Sequence, residues 1–169
     1  NYSTNNIAFL SGVSIKSIGN LMMGNNRIHD YLIWGKEGAI TINNEQLNTN
    51  YDQVDFIHKT LLKINKTSNL LLNTQYSTSS KISRFDKLND MIEGKQKYSN
   101  WYYGPQNRML QMIKFNSIKP SFFYDRIQAL FAFQDVEESR HYKKQNDTFI
   151  SNRYENVDIY DGSINLNKL

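Results

Sequence analysis

Residues Ser121 to Ser139 run SFFYDRIQALFAFQDVEES, and the point at which this stretch changes character decides the fold. Ile127 to Phe133 (IQALFAF) combines β-branched and aromatic residues, which favour a strand. The acids that follow, Asp135, Glu137 and Glu138, stand where a helix would begin, because carboxylates suit the positive end of a helix dipole. Val136 to Asn146 is therefore expected as a polar helix. Upstream, Met109 to Phe115 (MLQMIKF) has the same strand-like content, with Asn116 to Pro120 and Phe122-Phe123-Tyr124 between the two. These segments predict an antiparallel pair at the sheet centre, since they are the most apolar part of the chain.

Working outward, Asn5 to Met23 (NNIAFLSGVSIKSIGNLMM) places Ile7, Leu10, Ile15, Ile18, Leu21 and Met22 at helical spacing, with Gly24-Asn25-Asn26 as its stop. Ile28 to Ile42 holds two apolar runs, Tyr31 to Trp34 and Ala39 to Ile42, around Gly35-Lys36-Glu37-Gly38, the pattern of a hairpin. Asn43 to Asn50 is loop, and Asp52 to Asn65 is a helix carried by Val54, Ile57, Leu61 and Ile64, with acids first and lysines later. Leu70-Leu71-Leu72 is strand-like; Ser83 to Ile92 is a short helix with Phe85, Leu88 and Ile92 on one side. Val157 to Leu166 (VDIYDGSINL) closes as a hairpin turning at Asp161-Gly162. Helix and hairpin alternate three times, which describes an α+β domain on one antiparallel sheet.

Composition excludes several classes. The chain has 169 residues, 39% hydrophobic and 13% aromatic, enough apolar material for one folded domain, and a mean hydropathy of -0.64 predicts a very polar surface. Its net charge of +4 comes from 20 basic and 16 acidic residues without a concentrated block, which argues against nucleic acid. There are no cysteines, removing disulfides, thiol catalysis and thiolate metal sites together. His29, His58 and His141 are widely spaced, so no metal is expected. No apolar run reaches the length of a membrane-spanning helix, and the start at Asn1 without a leader suggests a mature or excised piece.

Nothing in the motifs demands an enzyme. Neither a Gly-x-Ser-x-Gly elbow nor a phosphate-cradling glycine loop occurs; a two-carboxylate hydrolase assembled from Asp135, Glu137 and Glu138 is the weaker reading of acids that also serve as dipole partners. The segment Ser99 to Gln106 (SNWYYGPQ) is expected as an aromatic turn. Trp101, Tyr102 and Tyr103 are either pocket walls for a small amphipathic or cationic ligand or a plug at a sheet edge. Asp135 either accepts from a ligand amine or caps the following helix; Arg108 either grips a carboxylate or satisfies a carbonyl.

Taken together, YLIWGKEGAITI, NWYYGPQ followed by MLQMIKFNSIKP, and SFFYDRIQALFAFQDVEES resemble the strand–turn–strand, Trp-Tyr turn and acid-ended strand of extracytoplasmic Cache (PAS-like, or PDC) sensor domains of bacterial membrane receptors. Among these the run around RIQALFAFQDVEE is similar to hybrid sensor histidine kinases of the Rcs phosphorelay type. In amine-binding members an arginine stands two residues before the Trp-Tyr pair, where this chain has Ser99. The resemblance implies a PAS-like central antiparallel sheet flanked by helices: residues 1–27 a helical segment, 28–150 the sheet core, and 151–169 a closing hairpin or the start of a membrane-proximal part. It implies a non-enzymatic sensing domain without cofactor, on the periplasmic or extracellular face of a bacterial inner-membrane protein. There it would bind a small ligand or a periplasmic protein through Trp101, Tyr102, Tyr103, Arg108 and Asp135 and signal to a histidine kinase, with a diguanylate cyclase or chemoreceptor as other outputs. The full-length protein would be membrane-anchored, with a homodimer among its assemblies. The rival is an interaction or assembly module that lacks a small-molecule pocket.

Overall fold

Extended backbone dominates the computed structural model, which describes residues 1–24, 41–42 and 44–168. The strands are β1 (Tyr2–Ser3), β2 (Ile7–Ile18), β3 (Leu21–Met22), β4 (Thr41–Ile42), β5 (Glu45–Gln46), β6 (Tyr51–Lys63), β7 (Ser68–Ser79), β8 (Ile82–Ser83), β9 (Met91–Ile92), β10 (Lys95–Gln96), β11 (Tyr98–Tyr103), β12 (Asn107–Ser117), β13 (Arg126–Lys144) and β14 (Ser151–Asn167). Among the described residues the one helix, α1, covers only Phe85–Leu88.

The expected α+β, PAS-like architecture of a sheet flanked by helices is thus overturned. Asn5 to Met23 is mostly β2, Asp52 to Asn65 is mostly β6, and the stretch expected as the helix Val136 to Asn146 is the far half of β13. The helical spacing of Val54, Ile57, Leu61 and Ile64 is a coincidence of a strand with apolar residues on both faces: Val54, Phe56 and Leu62 on one, Ile57 and Leu61 on the other. The β-branched and aromatic content of β6 (Val54, Phe56, Ile57, Thr60) fits the pleated conformation. Val157 to Leu166 does not turn at Asp161-Gly162; it runs straight through, with Asp161 opposite Ala132 and Gly162 opposite Phe131. Met109 to Phe115 and Ile127 to Phe133 do pair antiparallel, as β12 and β13. The hairpin placed at Ile28 to Ile42 lies, apart from Thr41 and Ile42, outside the described residues.

The main sheet has nine strands in the order β1-β2-β6-β7-β12-β13-β11-β8, with β14 on the other side of β13. Its six long strands, β2, β6, β7, β12, β13 and β14, form an antiparallel meander in which each pairs with the next long strand in sequence. β11 continues the line of β12 along β13; the interruption falls at Gly104-Pro105-Gln106, where proline has no N–H to give a ladder.

The two ends of the meander differ. At one, the links are short: 64–67 between β6 and β7, and 118–125 between β12 and β13. At the other stand the short link 145–150 between β13 and β14 and the two longest, 19–50 and 80–106, which carry β3, β4 and β5 as a small sheet and a β9–β10 hairpin whose Glu93 and Gly94 both have positive φ, as a two-residue turn requires. Among the described residues the buried apolar side chains are Met23, Phe85 and Trp101 alone. Met23 and Phe85 pack together with Leu88, away from the meander. Among the described residues the six long strands therefore stand as a single layer, without a second layer over either face.

Candidate functional site

Cross-strand partners share a face, so the ladder sorts the side chains of the meander into two surfaces. On one surface lie Phe9, Thr60, Leu72, Ile113, Phe131 and Gly162 in one row, and Ile7, Leu62, Leu70, Phe115, Ala129 and Ile164 in the next toward the short-turn end. The row on the long-loop side of these is Ser11, His58, Thr74, Gln111, Phe133 and Tyr160; the row nearest the short turns is Ser68, Ser117, Ile127 and Leu166. Not one Asp, Glu, Lys or Arg occurs in these four rows. At the same height the opposite surface carries Lys59, Lys63, Lys114 and Asp161, with Asn69, Asn73, Gln75, Asn116, Gln128, Gln134 and Asn165. One face is an uncharged band; the other carries the charges and most of the amides, set among apolar residues that include Leu10, Ile57, Leu61, Leu71, Met112 and Leu130.

The band leaves large side chains open: Phe131 is 51% exposed and Ile164 70%. Between them Gly162, Ile113 and Phe115 border an open apolar hollow of about 630 Å³. The few polar groups within the band satisfy one another. The Ser11 hydroxyl and His58 Nδ1 are 2.7 Å apart, Thr74 donates to Gln111 Oε1 at 2.7 Å, and the buried Ser68 donates to the buried Ser117 at 2.9 Å. Aromatic rings mark its edges. Phe133 and Tyr160 pack at 5.0 Å with their planes tilted by 37° on the long-loop side, and Phe122 and Phe123 project from the short link between β12 and β13.

The band's boundary on the long-loop side is oblique. The uncharged run on this face is Ile7–Ser17 on β2, Val54–Leu62 on β6, Ser68–Thr78 on β7 and Asn107–Ser117 on β12, but only Ile127–Phe133 on β13 and Tyr160–Leu166 on β14. Beyond it stand Asp135, Glu137 and Asp158. Tyr160 lies in the row of Ser11, so the limit drops six residues from Ser17 while crossing five strand spacings. At about 3.4 Å per residue and about 4.8 Å per strand, it is inclined by about 40° to the rows.

The residues singled out in the sequence do not share one cavity. Trp101, Tyr102 and Tyr103 form a strand, not a turn, and alternate across the sheet. Trp101 and Tyr103 meet edge to face at 5.2 Å, with the Arg84 guanidinium 4.7 Å from the Trp101 ring and 5.8 Å from Tyr103, while Arg140 covers Tyr103 at 5.9 Å. Arg84 also pairs with Asp86, which holds the Asp86 carboxyl below its ordinary range. Tyr102 points the other way and stacks on His141 at 4.7 Å; the His141 ring is fixed between Asn152 and Ser139. Gly104 follows because space demands it: a Cβ there would collide with the Ser139 hydroxyl and lie 3.0 Å from His141 Nε2. These residues lock the long-loop end.

Arg108 and Asp135 belong to opposite faces. Arg108 donates through Nε and Nη2 to Gln134 Oε1 at 3.0 and 2.7 Å, on the polar face, whereas Asp135 lies between Met109 and Asp158. Asp135 and Glu137 share a face and Glu138 does not, which separates the three acids of the hydrolase reading. On the polar face Asp55 accepts from Lys16 at 2.8 Å, Ser77 at 2.6 Å and Gln53 at 2.8 Å, and these bonds, Lys16 foremost, hold its carboxyl well below the usual carboxylate range. Asp55, Ser77 and Gln53, with Arg108, Gly12 and Gln75, border a shallow concavity of about 500 Å³.

The apolar band went unread in the sequence although its signal was there: the period-two runs Ile7-x-Phe9, Val13-x-Ile15 and Ile127-x-Ala129-x-Phe131-x-Phe133. The fold and the two-faced surface place the chain in a class, the open antiparallel β-meander with one uncharged face. No protein-family model, curated protein or solved structure matches the chain.

Proposed function

We propose that this sheet is part of the wall of a β-barrel that spans a lipid bilayer, with the uncharged face toward the acyl chains and the polar face toward an aqueous interior that passes or holds a polar solute. The observation that carries the proposal is the uncharged band, oblique at its long-loop limit, on a sheet that no second layer covers among the described residues. A bilayer-crossing strand needs about 9–11 residues, and the run is Ile7–Ser17, Val54–Leu62, Ser68–Thr78 and Asn107–Ser117 on four of the six strands. Barrel strands tilt by about 35–45°, and a boundary parallel to a membrane then cuts the rows at that angle, as the limit from Ser17 to Tyr160 does. The two longest links, 19–50 and 80–106, leave from one end, and aromatic rings stand at the band's margins, which fits the same arrangement.

No helix among the described residues is long and apolar enough to cross a membrane; the crossing proposed is by strands. Among the described residues the outer edge of β14 is unpaired, and β2 meets β1 only at Ala8 and Phe9. In lipid every backbone polar group needs a partner, so further strands close both edges. The ligand-sensing reading drew on a sheet flanked by helices, and that scaffold is not what this chain forms.

Flotation tests the proposal. Protein mixed with phospholipid vesicles, washed at alkaline pH and spun through a density step is expected to rise with the lipid and retain its β-sheet circular dichroism. Protein that folds to the same sheet in lipid-free buffer and stays at the bottom, its apolar face covered by another protein surface, would refute it.

A further inference from the structure

The polar face carries three lysines whose charges the sheet does not neutralise. Lys59 and Lys63 lie on β6, four residues apart, and Lys114 lies two strands away in the row between theirs, opposite Leu71 and Leu130. From strand geometry the three Cα atoms are about 12 Å apart, so the flexible four-carbon stems reach a common centre. None of the three forms an ion pair among the described residues.

Amides complete the ring. Gln128 donates to Asn116 Oδ1 at 2.9 Å and Asn116 donates to Asn69 Oδ1 at 2.9 Å, which leaves Asn69 Nδ2 as the free donor at the end of the chain, beside Lys63. Asn73, the partner of Lys59 across the ladder, is 6% exposed, and its Oδ1 is buried with no partner among the described residues. A buried amide oxygen without a donor is costly. It is expected in a site where an incoming group supplies the donor.

We propose that Lys59, Lys63 and Lys114, with Asn69 and Asn73, form a binding site for a hydroxylated polyanion, its oxyanion groups on the ammoniums and Asn69 Nδ2 and its hydroxyl donating to Asn73 Oδ1. The site rests on the reading of this face as the water-facing one, where unpaired lysines attract anions through the aqueous space. Carboxylate and phosphate groups share the chemistry. Leu71, at the centre of the triangle, favours a ligand with an aliphatic skeleton.

The test is calorimetric titration with citrate, tricarballylate, which is citrate without its hydroxyl, and pyrophosphate, at low and raised KCl. Citrate is expected to bind about tenfold more tightly than tricarballylate, because the orphan acceptor discriminates, and to weaken as salt rises. The tighter of citrate and pyrophosphate assigns the oxyanion. A Lys59→Gln, Lys114→Gln variant should lose about tenfold or more for both, while Lys119→Gln, at the short-turn end, should not change. Absence of anion binding, or equal affinities in the Lys59→Gln, Lys114→Gln variant, would overturn the site; equal binding of citrate and tricarballylate would overturn the role of Asn73. The titration runs on lipid-bound or lipid-free protein alike, so protein that fails to float but binds citrate refutes the membrane reading alone.

Discussion

Placing an arginine at Ile113 separates a lipid-facing strand from a water-facing one. On β12 the uncharged run is Asn107–Ser117, with Met112 at its midpoint. Ile113 lies one residue from it, about 3.4 Å along the strand and, at a tilt near 40°, less than that in depth. Its side chain is 40% exposed and belongs to the apolar face. An arginine at the mid-plane of a barrel's lipid face costs about 2–4 kcal/mol, falling to about 0–1 kcal/mol near the interface. Ile113→Arg should therefore cost about 3 kcal/mol, roughly a hundredfold in the folding equilibrium. Tyr160→Arg, at the oblique limit, should cost under about 1 kcal/mol. Met112→Arg, the next residue along but on the opposite face, should cost little. The assay is reversible urea unfolding of the vesicle-inserted protein, followed by tryptophan fluorescence. If water bathed both faces, a substitution at a site this exposed would stay within about 0.5 kcal/mol. Equal, small effects for Ile113→Arg and Met112→Arg refute the reasoning.

Three further outcomes follow from local geometry. Gly104→Ala should destabilise the protein by about 1–3 kcal/mol through overpacking against Ser139 and His141, and adding Ser139→Ala should recover most of the loss in thermal unfolding. Ser68→Ala should cost about 0.5–1.5 kcal/mol by removing its bond to the buried Ser117 hydroxyl, which keeps only the bond it accepts from the Lys119 amide at 3.3 Å, and a double-mutant cycle with Ser117→Ala should return a coupling of about 1 kcal/mol for the pair. Because the Asp55 carboxyl titrates lower in the folded protein than its ordinary 3.8, its bonds contribute stability above that pH and lose it as pH falls toward the folded value; an acid titration of unfolding should show this fall below about pH 4, and Asp55→Asn should flatten it.

How much of this was legible depended on which faces a strand exposes. Met109 to Phe115 and Ile127 to Phe133 showed their strand character because aromatic and branched residues crowd them. The continuation Val136 to Lys144 did not: the residues it buries are the polar Ser139 and His141, so with Glu137, Glu138 and Arg140 beside them no apolar alternation shows and the run imitates a polar helix. On β6 apolar residues on both faces happened to fall at helical spacing, and tertiary pairing with β2 and β7 decided otherwise. Asp161-Gly162 had the composition of a turn, but β14 pairs with β13 from Ser151 to Asn167, and that ladder holds the dipeptide extended. Trp101, Tyr102 and Tyr103 stood out as a cluster, yet only the strand they form reveals that they alternate. The lysine triangle spans two strands separated by a third, so no local spacing could announce it.

The most direct test is a residue-by-residue spin-label scan along β12 and β13 in vesicles, made simple because the native chain contains no cysteine. Single cysteines at 107–117 and 127–135 carry the label, and relaxation by dissolved oxygen is compared with relaxation by a water-soluble nickel complex. The account predicts strict alternation: odd positions such as Ile113, Phe115, Ala129 and Phe131 favouring oxygen, even positions such as Met112, Lys114, Leu130 and Ala132 favouring nickel. Equal access of both reagents at odd and even positions, or the opposite phase, would contradict it.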